Sequence, residues 1–161
     1  MKNMKKILRF SFLFLAFLLL LTGCNQNSSL ASDSLDNIMS KIYKGISEDE
    51  LPMYLENEKL TKDTIASYIG TSDIKWKEAI ASESGVGSIA HSIVLIRMDD
   101  NATSKDIMDA KKKIEENVNP AKWICVEAEK VYVESNDKLI AVIMTFEDMA
   151  DTFRNNFLEL K

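Results

Sequence analysis

The sequence predicts an α+β fold: a small antiparallel sheet of about three to four strands, packed by helices and preceded by an N-terminal signal peptide. Three observations predict it. Apolar residues recur at helical spacing in three separate segments, within 35–46, 107–118 and 146–160. Two nearly unbroken apolar runs of strand length, 89–98 and 139–146, lie between them. The second run follows Ser135-Asn-Asp-Lys138, which is hairpin-turn chemistry. Helices mixed with hairpin-linked strands point to an antiparallel sheet with helices against it.

The chain begins with a basic stretch, Lys2, Lys5, Lys6 and Arg9, followed by the apolar run Phe10 to Leu21. That run has the length of a signal-peptide core, about 7–15 residues. It is short of the roughly 20 apolar residues a spanning helix needs. Leu21-Thr22-Gly23-Cys24 follows and resembles the lipobox of bacterial lipoproteins. The resemblance implies that the Cys24 thiol takes a diacylglyceryl group and that cleavage falls between Gly23 and Cys24. Two acyl chains then hold the protein on the extracytoplasmic face of the cell membrane, each buried CH₂ contributing about 0.8 kcal/mol. On this reading 1–23 is a signal peptide, 24–33 a lipidated flexible tether and 34–161 a single α+β domain. The polar tether, Asn25 to Asp33, would span roughly 15–18 Å.

Removing 23 of 161 residues leaves 138, enough for one domain with a real core. The leader takes four of the 20 basic residues and none of the 25 acids, so the mature net charge is −9. That charge disfavours nucleic acid and other polyanions as partners. With Cys24 lipidated, Cys125 has no cysteine to pair with, and packing must supply the stability.

The elements follow in order. Leu35, Ile38, Met39, Ile42, Tyr43 and Ile46 form a helical stripe, capped by Asp33 or Ser34, with Gly45 near its end. Residues 47–59, acidic and containing Pro52, read as an irregular loop. A short helix over 62–69 has Thr61 as N-cap, a Leu60–Ile65 staple and Gly70 just past its end. A strand is predicted over 74–82, then a turn over 83–88. Residues 89–98 are apolar on both faces, the mark of a central strand. Thr103 and Asp106 form a capping-box start for a helix that runs to about Asn117, where Asn119-Pro120 stops it. Strands are predicted over 123–134 and 138–146. A final helix begins near Glu147, with Thr145 or Glu147 at its cap and Phe146, Met149, Phe153, Phe157 and Leu160 on one stripe.

This succession resembles a bacterial lipoprotein family found mainly in Firmicutes, domain of unknown function 4358. The residues that carry the likeness are the Leu35-x-x-Ile38-x-x-x-Ile42 helix behind the lipobox, Tyr68-Ile-Gly70, the strand Ala90 to Arg97, a Lys-rich helix, the strand Ile140 to Thr145 and a Phe-rich last helix. It covers roughly Leu35 to Leu160. It implies an extracytoplasmic lipoprotein, and it carries over no activity and no functional residue.

Few residues promise chemistry. His91 is the only histidine, so any Ser-His-Asp arrangement must use it; a strand-end histidine, partly exposed or hydrogen-bonded, is expected instead. Cys125, between Ile124 and Val126, reads as a buried inert thiol in a strand. No cofactor motif and no metal set is apparent, since zinc prefers several His or Cys ligands. Asp99 to Thr103 with Asp106 offers oxygens for Ca²⁺ but lacks the Gly and Glu of an EF-hand loop. Ser84-Gly-Val-Gly-Ser88 lacks the Lys of a P-loop and reads as a turn. Lys111, Lys112 and Lys113 read as a solvated helix face rather than a lipid-headgroup contact. Glu48-Asp-Glu50, with Glu56 and Glu58, reads as a solvated loop open to a cationic partner. The leading expectation is therefore a non-catalytic envelope module that binds a protein or peptide. The alternatives are a hydrolase using His91 and a small solute-binding lipoprotein of a transporter.

Overall fold

A computed structural model describes residues 30–161, and Gly23 and Cys24 lie outside the described residues. The elements are α1 (Leu35–Ile42), β1 (Leu55–Lys59), α2 (Ile65–Ile69), β2 (Trp76–Ser84), β3 (Ser92–Met98), α3 (Ser104–Asn117), β4 (Lys130–Asn136), β5 (Leu139–Thr145) and α4 (Glu147–Leu158). The five strands form one antiparallel sheet in the order β1-β2-β3-β5-β4. The fold class is α+β, with more strands than the three to four expected.

Helices cover both faces. Ala79, Ala81, Val94, Ile96, Ile140 and Val142 point to the α2/α3 side, where they meet Ile65, Ile69 and Ile114. Ile80, Ile93, Leu95, Ala141 and Ile143 point to the α1/α4 side, against Ile38, Met39, Ile42, Phe153 and Phe157. Consecutive residues of one strand serve opposite cores because the side-chain period of a strand is two. Every residue of β3 and β5 is buried, which explains why their sequences run apolar without alternation.

The helix starts follow local chemistry. Ser34 caps α1 by accepting from the Asn37 N–H. Thr103 and Asp106 form the expected capping box on α3. The start of α2 is corrected: its N-cap is Thr64, because Thr61 and Thr64 first close a turn on each other. The last helix has Phe146 at its N-cap, and a carboxylate from outside the helix, Glu129, accepts the Glu147 N–H at 2.8 Å.

Three further expectations are corrected. Residues 55–59 are a strand rather than loop; β1 is an edge strand with four of five residues exposed, so no apolar alternation announces it. Residues 123–129 are not a strand; this stretch crosses the surface, held by Ile124 N–H to the Gly87 carbonyl and Ala128 N–H to the Pro120 carbonyl. Residues 30–33, assigned to the tether by composition, belong to the domain. Leu30 is buried, and Arg97 donates to the Leu30 carbonyl at 2.7 Å and the Asp33 carbonyl at 2.5 Å. Asp33 also pairs with Lys41 at 2.6 Å. Among the described residues, no helix is long and apolar enough to cross a membrane.

Candidate functional site

His91 sits just before β3 and is fully buried. It is the centre of a four-residue polar chain. Tyr43, the C-cap of α1, donates its hydroxyl to Ser82 Oγ of β2 at 3.0 Å. With that proton directed to Ser82, His91 Nε2–H donates to the Tyr43 oxygen at 2.8 Å. His91 Nδ1 then accepts from Thr145 Oγ1 of β5, also at 2.8 Å. The Phe153 ring meets both Tyr43 and His91 edge-on. Burial pushes the imidazole pKa down to about 4 and holds the ring neutral. It also raises the Tyr43 phenol. Both ring nitrogens are satisfied, no carboxylate among the described residues bonds them, and the residue is fully buried. This arrangement joins α1, β2, β3 and β5; it does not present a base to a substrate.

The other singled-out residues disperse. Cys125 is exposed and outside any strand, with φ +60°, which corrects the expectation of a buried thiol. Lys111, Lys112 and Lys113 each face a carboxylate, Glu134, Glu116 and Asp73 respectively. Asp100 pairs with Lys77, and Asp106 serves the capping box. Among the described residues, no group of three His, Cys, Asp or Glu is placed to hold a metal ion. In the 84–88 turn, Gly85 N–H donates to the Tyr54 carbonyl and Val86 N–H to Ser84 Oγ, so these N–H groups point inward. Glu50 caps Ser47 within the acidic run.

A different group of residues converges. On β1 and β2, Glu56 stands opposite Glu83 and Glu58 opposite Ala81, all on the α2/α3 face. They border a groove of about 380 Å³ whose lining includes Tyr68 and Gly85. Tyr68 of α2 donates its hydroxyl to Glu58 at 2.7 Å. Burial, reinforced by that bond, raises the Tyr68 phenol pKa. Lys122 reaches in from the segment after α3 and pairs with Glu83 at 2.8 Å. Its ammonium lies 4.6 Å from the Tyr68 ring centroid and 5.0 Å from that of Trp123, a cation–π arrangement. Burial lowers the Lys122 pKa, and the pair with Glu83 opposes that shift. Among the described residues, three carboxylates thus face one ammonium, leaving two without an ion-pair partner along the groove.

Beside this groove the surface is apolar. Met53, Tyr54 and Ile124 are all exposed, Tyr54 by 73% and Ile124 by 70%. All three are tied to the turn before β3: Ser84 Oγ donates to the Met53 carbonyl, Gly85 N–H to that of Tyr54, and Ile124 N–H to that of Gly87. Arg97, which grips the incoming chain at Leu30 and Asp33, lies at the far end of β3. From Ser92 to Arg97 the strand covers about 17 Å at ~3.3 Å per residue. The chain therefore enters at one end of the sheet, and the acidic groove with its apolar rim occupies the other.

The hollow between α3 and the start of β2, about 220 Å³, is lined by Asp73, Asp106, Asp109 and Lys113. Of these, Asp73 pairs with Lys113, Asp109 pairs with Lys105, and Asp106 serves the capping box. Sequence reasoning noted Glu56 and Glu58 but missed Tyr68, Glu83 and Lys122. The one usable signal was the Glu56-x-Glu58 spacing, which puts both carboxylates on one face once the segment is a strand. No protein-family model matches the chain, and neither a curated protein nor a solved structure shows significant similarity to it.

Proposed function

We propose that this protein is a lipid-anchored extracytoplasmic lipoprotein, held through Cys24, whose domain binds a protein or peptide partner rather than catalysing a reaction. One observation supports this most: the acidic groove and the exposed Met53, Tyr54 and Ile124 gather at the end of the sheet opposite the chain's entry at Leu30. An anchor upstream of Leu30 leaves that end free to face away from the membrane. A partner meeting the domain from the envelope side then encounters carboxylates beside an exposed methionine and tyrosine, side chains enriched at protein interfaces. The likeness to the family of domain of unknown function 4358 rests on the order of its apolar segments and is part of this proposal.

The test has two arms. Labelled palmitate should enter the wild-type protein and not Cys24→Ala, which should leave the membrane fraction. A photocrosslinking phenylalanine at Tyr54 should give a discrete adduct in intact cells, and one at Lys77, near the chain's entry, should not. Identical adducts from both positions would overturn the binding-end reading.

A further inference from the structure

The groove borders an open sheet edge, and the two together define what fits there. Among the described residues, β1 pairs only with β2. Its register, with the Gly85 N–H on the Tyr54 carbonyl and the Leu60 N–H on the Ala79 carbonyl, shows which residues bond inward. Glu56 and Glu58 face β2 with their backbone groups, while the Tyr54 C=O accepts from Gly85 and the Leu60 N–H donates to Ala79. By the alternation of antiparallel ladders, Leu55, Asn57 and Lys59 direct their N–H and C=O groups outward. The side chains alternate as well. Glu56 and Glu58 face the groove with Tyr68 and Glu83, whereas Asn57 faces α1 and reaches Asp36. Lys59, opposite Ile80, shares the Asn57 face.

We propose that β1 is the docking edge for an extended segment that adds to the sheet as a sixth strand and carries cationic residues at every second position. Resting on the partner-binding reading above, this names the partner's chemistry. Backbone groups of the added strand meet those of Leu55, Asn57 and Lys59. An added strand lies about 4.8 Å from β1. Its alternate side chains therefore stand beside Glu56 and Glu58, the two carboxylates without an ion-pair partner among the described residues. Its other side chains fall on the face of Asn57 and Lys59, where the Lys59 ammonium and the Asp36 carboxylate offset each other and neither sign of charge is favoured. The recognition is thus one-sided: basic at i and i+2, uncharged between. Tyr54 and Met53, exposed at the start of β1, add apolar contact for residues beyond the strand. The opposite edge does not offer this. Glu134 of β4 is already held by Lys111 and by Arg154, and Tyr132 by Asp151.

The probe is a fluorescent pentapeptide, Val-Lys-Val-Lys-Val, titrated by anisotropy against the lipidated protein in detergent micelles. The expected result is saturable binding, at least tenfold weaker for Val-Glu-Val-Glu-Val and for the E56Q/E58Q double variant. N-methylation of alternate peptide nitrogens should abolish it, because the ladder then lacks donors. Asn57→Pro removes an outward N–H without touching the β1–β2 bonds, and should abolish binding with the unfolding midpoint unchanged. Should that variant unfold, the methylated peptide still decides the matter. No binding, or binding indifferent to N-methylation and to E56Q/E58Q, overturns the proposal. The Tyr54 adduct separates the two readings: a discrete adduct persisting with E56Q/E58Q leaves partner binding in place and removes strand addition.

Discussion

His91 Nε2 and the Tyr43 hydroxyl stand 2.8 Å apart in the core, although 48 residues separate them in sequence. The contact ties the end of α1 to the lead-in of β3, and the bond on the other ring nitrogen, Nδ1 accepting from Thr145, requires a neutral imidazole. The folded pKa is about 4 against an ordinary 6.5, and the cause is burial alone. The unfolded chain therefore binds the proton more readily between these values. The His91 contribution is fully present above pH 6.5 and is lost as pH falls toward 4. At about 1.4 kcal/mol per pKa unit, the loss is roughly 2–4 kcal/mol. Paired carboxylates such as Asp33 and Asp73 also weaken with acid, so the comparison must be with a variant. The stability gap between wild type and His91→Gln should shrink by that amount from pH 6.5 to 4, as read by urea unfolding. A constant gap would show that the ring already carries its proton or is solvated. Tyr43→Phe should cost about 1–2 kcal/mol at pH 7, since it leaves buried polar atoms at His91 and Ser82 unpaired.

Arg97 makes a second prediction. It is 5% exposed, and its guanidinium serves three acceptors: Glu78 at 2.6 Å, the Leu30 carbonyl and the Asp33 carbonyl. Lysine keeps the charge but lacks the fork that spans these directions. Arg97→Lys should therefore free residues 30–33 with only part of the stability lost. Arg97→Ala should cost about 3 kcal/mol or more, because buried carbonyls lose their donors. Limited proteolysis reads the first effect: cleavage before Leu35 should accelerate in both variants while the rest of the domain stays protected in Arg97→Lys. Unchanged cleavage would mean that Leu30 packing alone holds the segment.

Two glycines test how closely α2 and α3 approach. Gly70 has φ +79°, and a Cβ there would lie 1.9 Å from the Asn117 carbonyl oxygen, a backbone atom that cannot step aside. Gly45 has φ +88° but no atom within 4 Å of the same position. Gly45→Ala should thus cost only the left-handed penalty, about 1–2 kcal/mol. Gly70→Ala adds the overlap and should exceed 4 kcal/mol or prevent folding. Thermal unfolding of the pair gives the difference directly, and equal shifts would remove the close approach.

Legibility in the sequence followed burial. β3 and β5 are covered on both faces, so their apolar runs 89–98 and 139–146 announced them. The capping box at Thr103 and Asp106 was equally visible because it is local. β1 was not legible: Leu-Glu-Asn-Glu-Lys buries almost nothing, and only its pairing with β2 makes it a strand. The Ile124 and Val126 pattern suggested a strand that does not form, since Ile124 is 70% exposed and Cys125 takes a left-handed conformation. The groove was half legible. Glu56 and Glu58 stood in an acidic run, but Tyr68, Glu83 and Lys122 come from three other segments, joined only by the folded sheet and α2.

Cys125 makes the last prediction. Its thiol is exposed, and its φ of +60° places a non-glycine residue where the Cβ crowds the following carbonyl. Glycine removes that crowding but adds freedom to the unfolded chain, and the two effects oppose each other. Cys125→Gly should therefore be neutral or stabilising by up to ~1 kcal/mol. Cys125→Val, branched at Cβ, should destabilise by about 1 kcal/mol or more. The thiol itself gives a direct readout. In native buffer a maleimide should label Cys125 of the lipidated protein within tenfold of its rate in denaturant, and Cys125→Ser should abolish the label. Labelling that appears only on unfolding would place the 123–129 segment inside the fold, and with it the exposed Ile124 that borders the acidic groove.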